Sequence, residues 1–82
     1  MKLKDIKVSC HEGYKSAERP VGFVCEGRTY AIVEITDRWY EGGVAPGSPC
    51  LNYFKVKTAD GGMHLLRYNA LFDAWALVVP DR

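Results

Sequence analysis

The sequence predicts an all-β fold, an antiparallel meander of five to six short strands curled into a sheet or a half-open, SH3-like barrel. Three observations carry this prediction. Short runs of alternating apolar and polar residues recur along the chain, rich in β-branched and aromatic side chains. Turn signals, Glu26-Gly27 and Asp60-Gly61-Gly62, separate two pairs of these runs. No window holds a helical period over three turns, so nothing competes with the strand reading.

The longest uninterrupted run, Tyr30 to Tyr40 (YAIVEITDRWY), contains neither Gly nor Pro and reads as the central strand. Strict alternation places Ala31, Val33, Ile35 and Trp39 on its buried face and Glu34, Thr36 and Arg38 on the other. Trp39 is expected to meet Phe54 and Trp75 in the core. Asp37 breaks the pattern, because alternation points it inward between Ile35 and Trp39. A ligand-binding carboxylate is one reading. The favoured one is a bulge or strand end that redirects it, its oxygens accepting backbone N–H groups or pairing with an arginine such as Arg38 or Arg67.

The other elements follow in chain order. Leu3 to Cys10 puts Ile6 and Val8 on one face and reads as an edge strand, since Lys2, Lys4 and Lys7 discourage further pairing. His11 to Pro20 is a polar loop. Val21 to Cys25 is a short strand joined to the central one through Glu26-Gly27, with Gly27 supplying positive φ. Glu41 to Pro49 (EGGVAPGSP) has three glycines and two prolines and reads as the longest loop. Cys50 to Thr58 resumes alternation, with Phe54 and Val56 facing one way and Tyr53, Lys55 and Lys57 the other. Met63 to Tyr68 returns, Leu65 and Leu66 on opposite faces. Trp75, Leu77 and Val79 form a last strand before Pro80.

An 82-residue chain accommodates one small domain, residues 1–82, with a modest core. Its three cysteines are too few for a disulfide framework, and the charged start MKLKDIK has no apolar signal segment. A cytoplasmic protein with reduced thiols is the expectation. A formal net charge of +1 argues against strong attraction to polyanions or membranes.

No catalytic or metal motif stands out, and no cofactor is expected. Cys10, His11, Cys25, Cys50 and His64 are suitable metal-ligand types without metal-site spacing, and buried thiols explain them better. A small hydrolase or ligand-binding barrel built on Asp37 and His64 requires both side chains in one concave pocket. The more informative group is basic and aromatic. Arg38, Tyr40, Tyr53, Lys55, Lys57, Arg67 and Tyr68 lie toward the ends of strands expected to be neighbours, where cations and rings can gather into an interaction surface. Single-stranded nucleic acid favours such surfaces, since rings stack on bases and cations meet phosphates. The more economical alternative is a solvent face on which Glu34, Asp37, Glu41 and Asp73 neutralise those cations.

The segments VEITDRWYEGG, LNYFKVKTADGG, LLRYN and DAWALVV resemble a family of small all-β domains found mainly in bacteria, with no established activity. The same skeleton is similar to the C-terminal tail of some Y-family-polymerase-like mutasome subunits. It rests on Asp37, Arg38, Trp39, Tyr53, Phe54, Val56, Asp60, Gly61, Tyr68, Asp73 and Trp75 and covers roughly the last two thirds of the chain. The longer Gly/Pro segment Glu41 to Pro49 departs from those tails, and a polymerase core is lacking. The resemblance implies an all-β accessory domain with a pointer toward DNA-repair assemblies. The expected function is a non-enzymatic interaction module, binding a protein or a second copy of itself. The alternative is a single-stranded nucleic-acid-binding accessory domain.

Overall fold

A computed structural model describes residues 2–10, 19–42 and 50–79. Six strands follow in order, β1 (Lys2–Cys10), β2 (Pro20–Cys25), β3 (Arg28–Gly42), β4 (Cys50–Thr58), β5 (Met63–Asn69) and β6 (Ala74–Val79). Each pairs antiparallel with the next, and β1 also pairs with β6, so the meander closes into a small barrel. The two-sided pairing of β1 corrects its reading as an edge. Its first half lies along β6 and its second half along β2, so one long strand serves both walls. The lysines do not prevent this because strand pairing engages main-chain groups, while Lys2, Lys4 and Lys7 keep exposed side chains. The expected loops at residues 11–18 and 43–49 lie outside the described residues. Glu41 and Gly42 belong to β3, and Pro20 opens β2.

Tight turns set the register. Cys25 faces Arg28 across a two-residue link in which Glu26 and Gly27 both have positive φ, 52° and 79°. This is the twist that a two-residue hairpin needs. At the β4–β5 turn Gly61 has φ 90°, and Asp60 Oδ1 accepts bonds from the Thr58 hydroxyl and the Gly62 N–H. Those donors hold the Asp60 carboxyl below its usual range, the Thr58 bond contributing most.

The core sits inside the barrel around Phe23, Phe54, Val56 and Leu66, with Ile6, Cys25, Tyr68 and Trp75 closing it. Phe54 and Tyr68 both lean on Trp75, at ring-centroid distances of 5.4 and 4.9 Å. The expected phases of β1, β4 and β6 hold here, since Ile6, Phe54, Val56 and Trp75 are buried and Val8 and Leu77 pack against them. Burying a Phe or Leu of this kind contributes about 1.5–3 kcal/mol.

The central strand departs from strict alternation. Its pairing with β4 slips between Ile32 and Glu34 and again between Ile35 and Asp37, where two steps on β3 match one on β4. Each extra residue is a β-bulge that reverses the side facing inward. Tyr30, Ile32 and Ile35 therefore pack on the core, and the exposed Arg38 follows the same phase, its guanidinium 4.8 Å from the Phe54 ring centre. Of the four residues expected inside, only Ile35 contacts the core. Ala31 is exposed, Val33 is 60% exposed, and Trp39 stands on the outer wall.

No helix among the described residues is long and apolar enough to cross a membrane. Among the described residues Cys10, Cys25 and Cys50 form no disulfide.

Candidate interaction surface

The outer wall of the barrel is built by the residues that alternate with the core. Because Phe54 and Val56 on β4 point inward, Tyr53, Lys55 and Lys57 point outward. The same logic on β5 sends Leu66 and Tyr68 in and Leu65 and Arg67 out. On β3 the second bulge turns Asp37 and Trp39 outward to match. One cross-strand row then reads Trp39, Tyr53, Arg67, each directly opposite the next. The adjacent row reads Asp37, Lys55, Leu65.

Trp39 and Tyr53 stack at 5.2 Å between ring centres with 11° between their planes. Trp39 shields Tyr53, which is 9% exposed, while Trp39 itself remains 39% exposed. Such a pair adds about 0.5–1.5 kcal/mol beyond its buried area. Arg67 flanks Tyr53 on the far side, and its Nε is shielded from solvent with no hydrogen-bond acceptor among the described residues. A rigid platform of two rings and a guanidinium results.

Acidic residues interleave with the cations of this wall. Asp37 lies opposite Lys55 and Glu34 opposite Lys57 across the β3–β4 ladder. Asp37 also sits at a bulge and accepts the Arg38 main-chain N–H through Oδ1 at 2.8 Å. The structural reading of Asp37, a redirected carboxylate accepting a backbone donor, is the one observed. Among the described residues Glu34 to Gly42 pairs on one side only, with β4.

The seven residues expected to form one surface divide between the two sides of the sheet. Tyr53, Lys55, Lys57 and Arg67 share the outer wall. Arg38 is exposed and sets its guanidinium over the Phe54 ring, and Tyr68 is buried, its hydroxyl donating to Asp73 Oδ1 at 2.7 Å. Tyr40 follows the phase of Arg38, is 61% exposed, and donates its hydroxyl to Cys50 Sγ at 3.3 Å. That thiol raises the Tyr40 hydroxyl pKa above its ordinary value. Trp39 joins the outer group in their place. The broken alternation at Asp37 was its only trace in the sequence.

Asp37 and His64 do not meet. Asp37 faces out beside Lys55, whereas His64, opposite Val56, packs edge-on against Phe23 and Tyr30 at 5.5 and 5.3 Å. Their separation removes the pocket that an acid–base pair would need. A hollow of about 240 Å³ nearby is lined by Arg28, Tyr30, Thr58 and Asp60 among others, without Asp37. Among the described residues no three His, Cys, Asp or Glu side chains gather into a group able to hold a metal; His11 lies outside them. Comparison with known proteins finds no family model, curated protein or solved structure that matches the chain.

Proposed function

We propose that this chain is a non-enzymatic interaction module that docks a protein partner on the Trp39–Tyr53–Arg67 row. The observation that carries the reading is the row itself, a stacked Trp–Tyr pair with an arginine in register on the outside of a closed barrel. Trp, Tyr and Arg are the side chains that most often dominate protein interfaces. They bring large contact area with little entropy to lose, and a planar cation able to take a carboxylate or carbonyl. The alternation of Asp37 with Lys55 and Glu34 with Lys57 suits a partner of mixed charge, against which each sign can be matched.

Single-stranded nucleic acid is the second reading. It is favoured by the exposed ring of Trp39 with Lys55 and Arg67 within two strands, and by the mutasome-tail resemblance. It is weakened by the carboxylates in the same rows, which repel a phosphate chain.

The test compares immobilised wild-type chain with Trp39→Ala and Arg67→Ala variants as bait for cell protein, and titrates an oligothymidylate at low salt. Docking as proposed gives a bound protein retained by wild type and lost from both variants, with no oligonucleotide retained. An identical set of proteins on all three baits removes the reading. Oligonucleotide binding that falls steeply with rising salt and with Lys55→Ala replaces it with the nucleic-acid one.

A further inference from the structure

The outer face continues past Arg67 onto β6 and β1, where the register has a property of its own. Leu65, Val78 and Leu3 form one row across β5, β6 and β1, and Arg67, Ala76 and Asp5 form the next. All six alternate with the inward Leu66, Leu77, Trp75 and Ile6 and so point outward. The middle strand presents small side chains, Ala76 and Val78, between larger ones. The flanks are opposites in charge and alike in apolar character. Leu3 is 42% exposed and Leu65 half-buried, while Asp5 is exposed and Arg67 half-buried with its Nε unpaired.

We infer that a second copy of this chain docks on this face about a two-fold axis running along β6. Such an axis exchanges β5 with β1 of the other copy and leaves β6 facing β6. Arg67 then meets the second copy's Asp5, and Asp5 meets its Arg67. Leu65 meets Leu3 in the same way, and Val78 and Ala76 pack on themselves. No other axis along a strand of this wall pairs both rows so completely. Two sheets packed face to face lie about 10 Å apart and tolerate a crossing of about 30°. The small Ala76 leaves room for the two charged pairs beside it. The Nε of Arg67 is already stripped of water on the single chain, so part of the desolvation cost of an ion pair is met before association.

The opposed charges decide the occupant. A face with one acid and one base in a single row fits its own copy turned over, whereas a uniformly charged partner would be repelled by one of the two. With Val24 on β2 and Lys55 on β4 at the margins, the face is small, toward the lower end of specific interfaces, so association depends on concentration. The inference deepens the interaction-module reading, on which it rests, by naming one partner. The dimer engages Arg67 and leaves the stacked Trp39 and Tyr53 of each copy uncovered, so the pair would display two aromatic stacks and gain avidity for a divalent partner.

The experiment is sedimentation velocity on the full chain from about 10 μM to about 1 mM, a range that brackets weak association. Wild type is expected to pass from monomer to dimer. Arg67→Glu places two like-charge pairs in the interface, as does Asp5→Arg, and each is expected to weaken the dimer at least ~10-fold. An equimolar mixture of the two variants restores both pairs, one as in wild type and one with its sign reversed, and is expected to recover dimer as a mixed species. A wild-type chain that stays monomeric overturns the inference, as does a dimer unaffected by either variant or a mixture that fails to recover. Trp39→Ala is expected to leave dimerisation unchanged while abolishing capture of the docked protein. A monomeric chain that still captures a protein through Trp39 would therefore overturn the dimer and spare the docking row.

Discussion

Two aromatic clusters stand on opposite sides of the same four strands. Inside, Phe54, Tyr68 and Trp75 pack within 5.4 Å of one another by ring centre in two contacts, and Phe54 is inaccessible to solvent. Outside, Trp39 and Tyr53 stack with comparable closeness, yet Trp39 keeps 39% of its surface in water. Residue type does not separate the two groups. Trp75 and Trp39 are the same side chain, and Phe54 and Tyr53 are neighbours in sequence. What separates them is the count of residues along each strand. The pleat assigns Tyr53 and Phe54 to opposite sides, and the two bulges in β3 decide that Trp39 joins Tyr53. The inner cluster holds the barrel together. The outer one is preorganised by stacking and left available.

If this division is right, truncation should be costly on one side of the wall and mild on the other. Phe54→Ala leaves a cavity at the centre of the core and is expected to cost about 3–5 kcal/mol, enough to unfold much of the population of a domain this small. Urea or thermal denaturation followed by far-UV circular dichroism measures it. Tyr68→Phe keeps the inner ring but removes the hydroxyl that donates to Asp73, and about 1–2 kcal/mol should be lost in the same assay. Trp39→Ala is expected to cost about 1 kcal/mol or less, since it forfeits a half-exposed stack and no core contact. An equal loss from Phe54→Ala and Trp39→Ala would erase the distinction between the clusters.

A smaller effect sharpens the same contrast at the β4–β5 turn, where Thr58 points in and Asp60 points out. The Asp60 carboxyl is held below its usual range, so its ionised form is favoured in the folded state. Its stabilising contribution is complete above the unfolded carboxyl pKa of about 3.9 and fades as pH falls through the lower, folded value. Wild type should therefore exceed Asp60→Asn in stability at neutral pH, and the gap should narrow as pH drops below about 4. Melting temperatures of the two chains across that window check the sign. A gap that widens on acidification would mean that the turn does not depend on the carboxylate.

These comparisons also show where sequence reasoning reached and where it stopped. The limits of β4 and the sides taken by Tyr53, Phe54, Lys55, Val56 and Lys57 were legible, because alternation there runs unbroken through a complete strand. The hairpin at Glu26-Gly27 was legible for a similar local reason, since only a few residues tolerate positive φ. The side of Trp39 was not. A bulge is defined by the partner strand, and Val33 and Thr36 look like ordinary strand residues until β4 is laid beside them. Asp37 was the one residue that signalled trouble, and its inward position by strict counting was a reason to doubt the count beyond it. That the sheet curls into a small barrel was legible from its size, but the pair of strands that closes it was not. The β1–β6 pairing joins the two ends of the chain, and neither sequence carries a mark of the other. Its position near a strand end suggests a surface role for Tyr68, although its spacing from Leu66 places both on one face. The outer row was therefore half visible. Tyr53, Lys55 and Arg67 could be read from local phase, and Trp39 required the fold.

The most direct test of the account uses the two tryptophans as reporters of the two sides. Chains carrying Trp75→Phe or Trp39→Phe each retain a single indole, and acrylamide quenching measures how far solvent reaches it. The account predicts that Trp39 alone emits at longer wavelength and is quenched several-fold more steeply than Trp75 alone, on the order of the exposure difference between a surface and a core ring. A blue-shifted, shielded Trp39 would place it inside the barrel and contradict the bulge-directed outer row on which the proposed docking function stands.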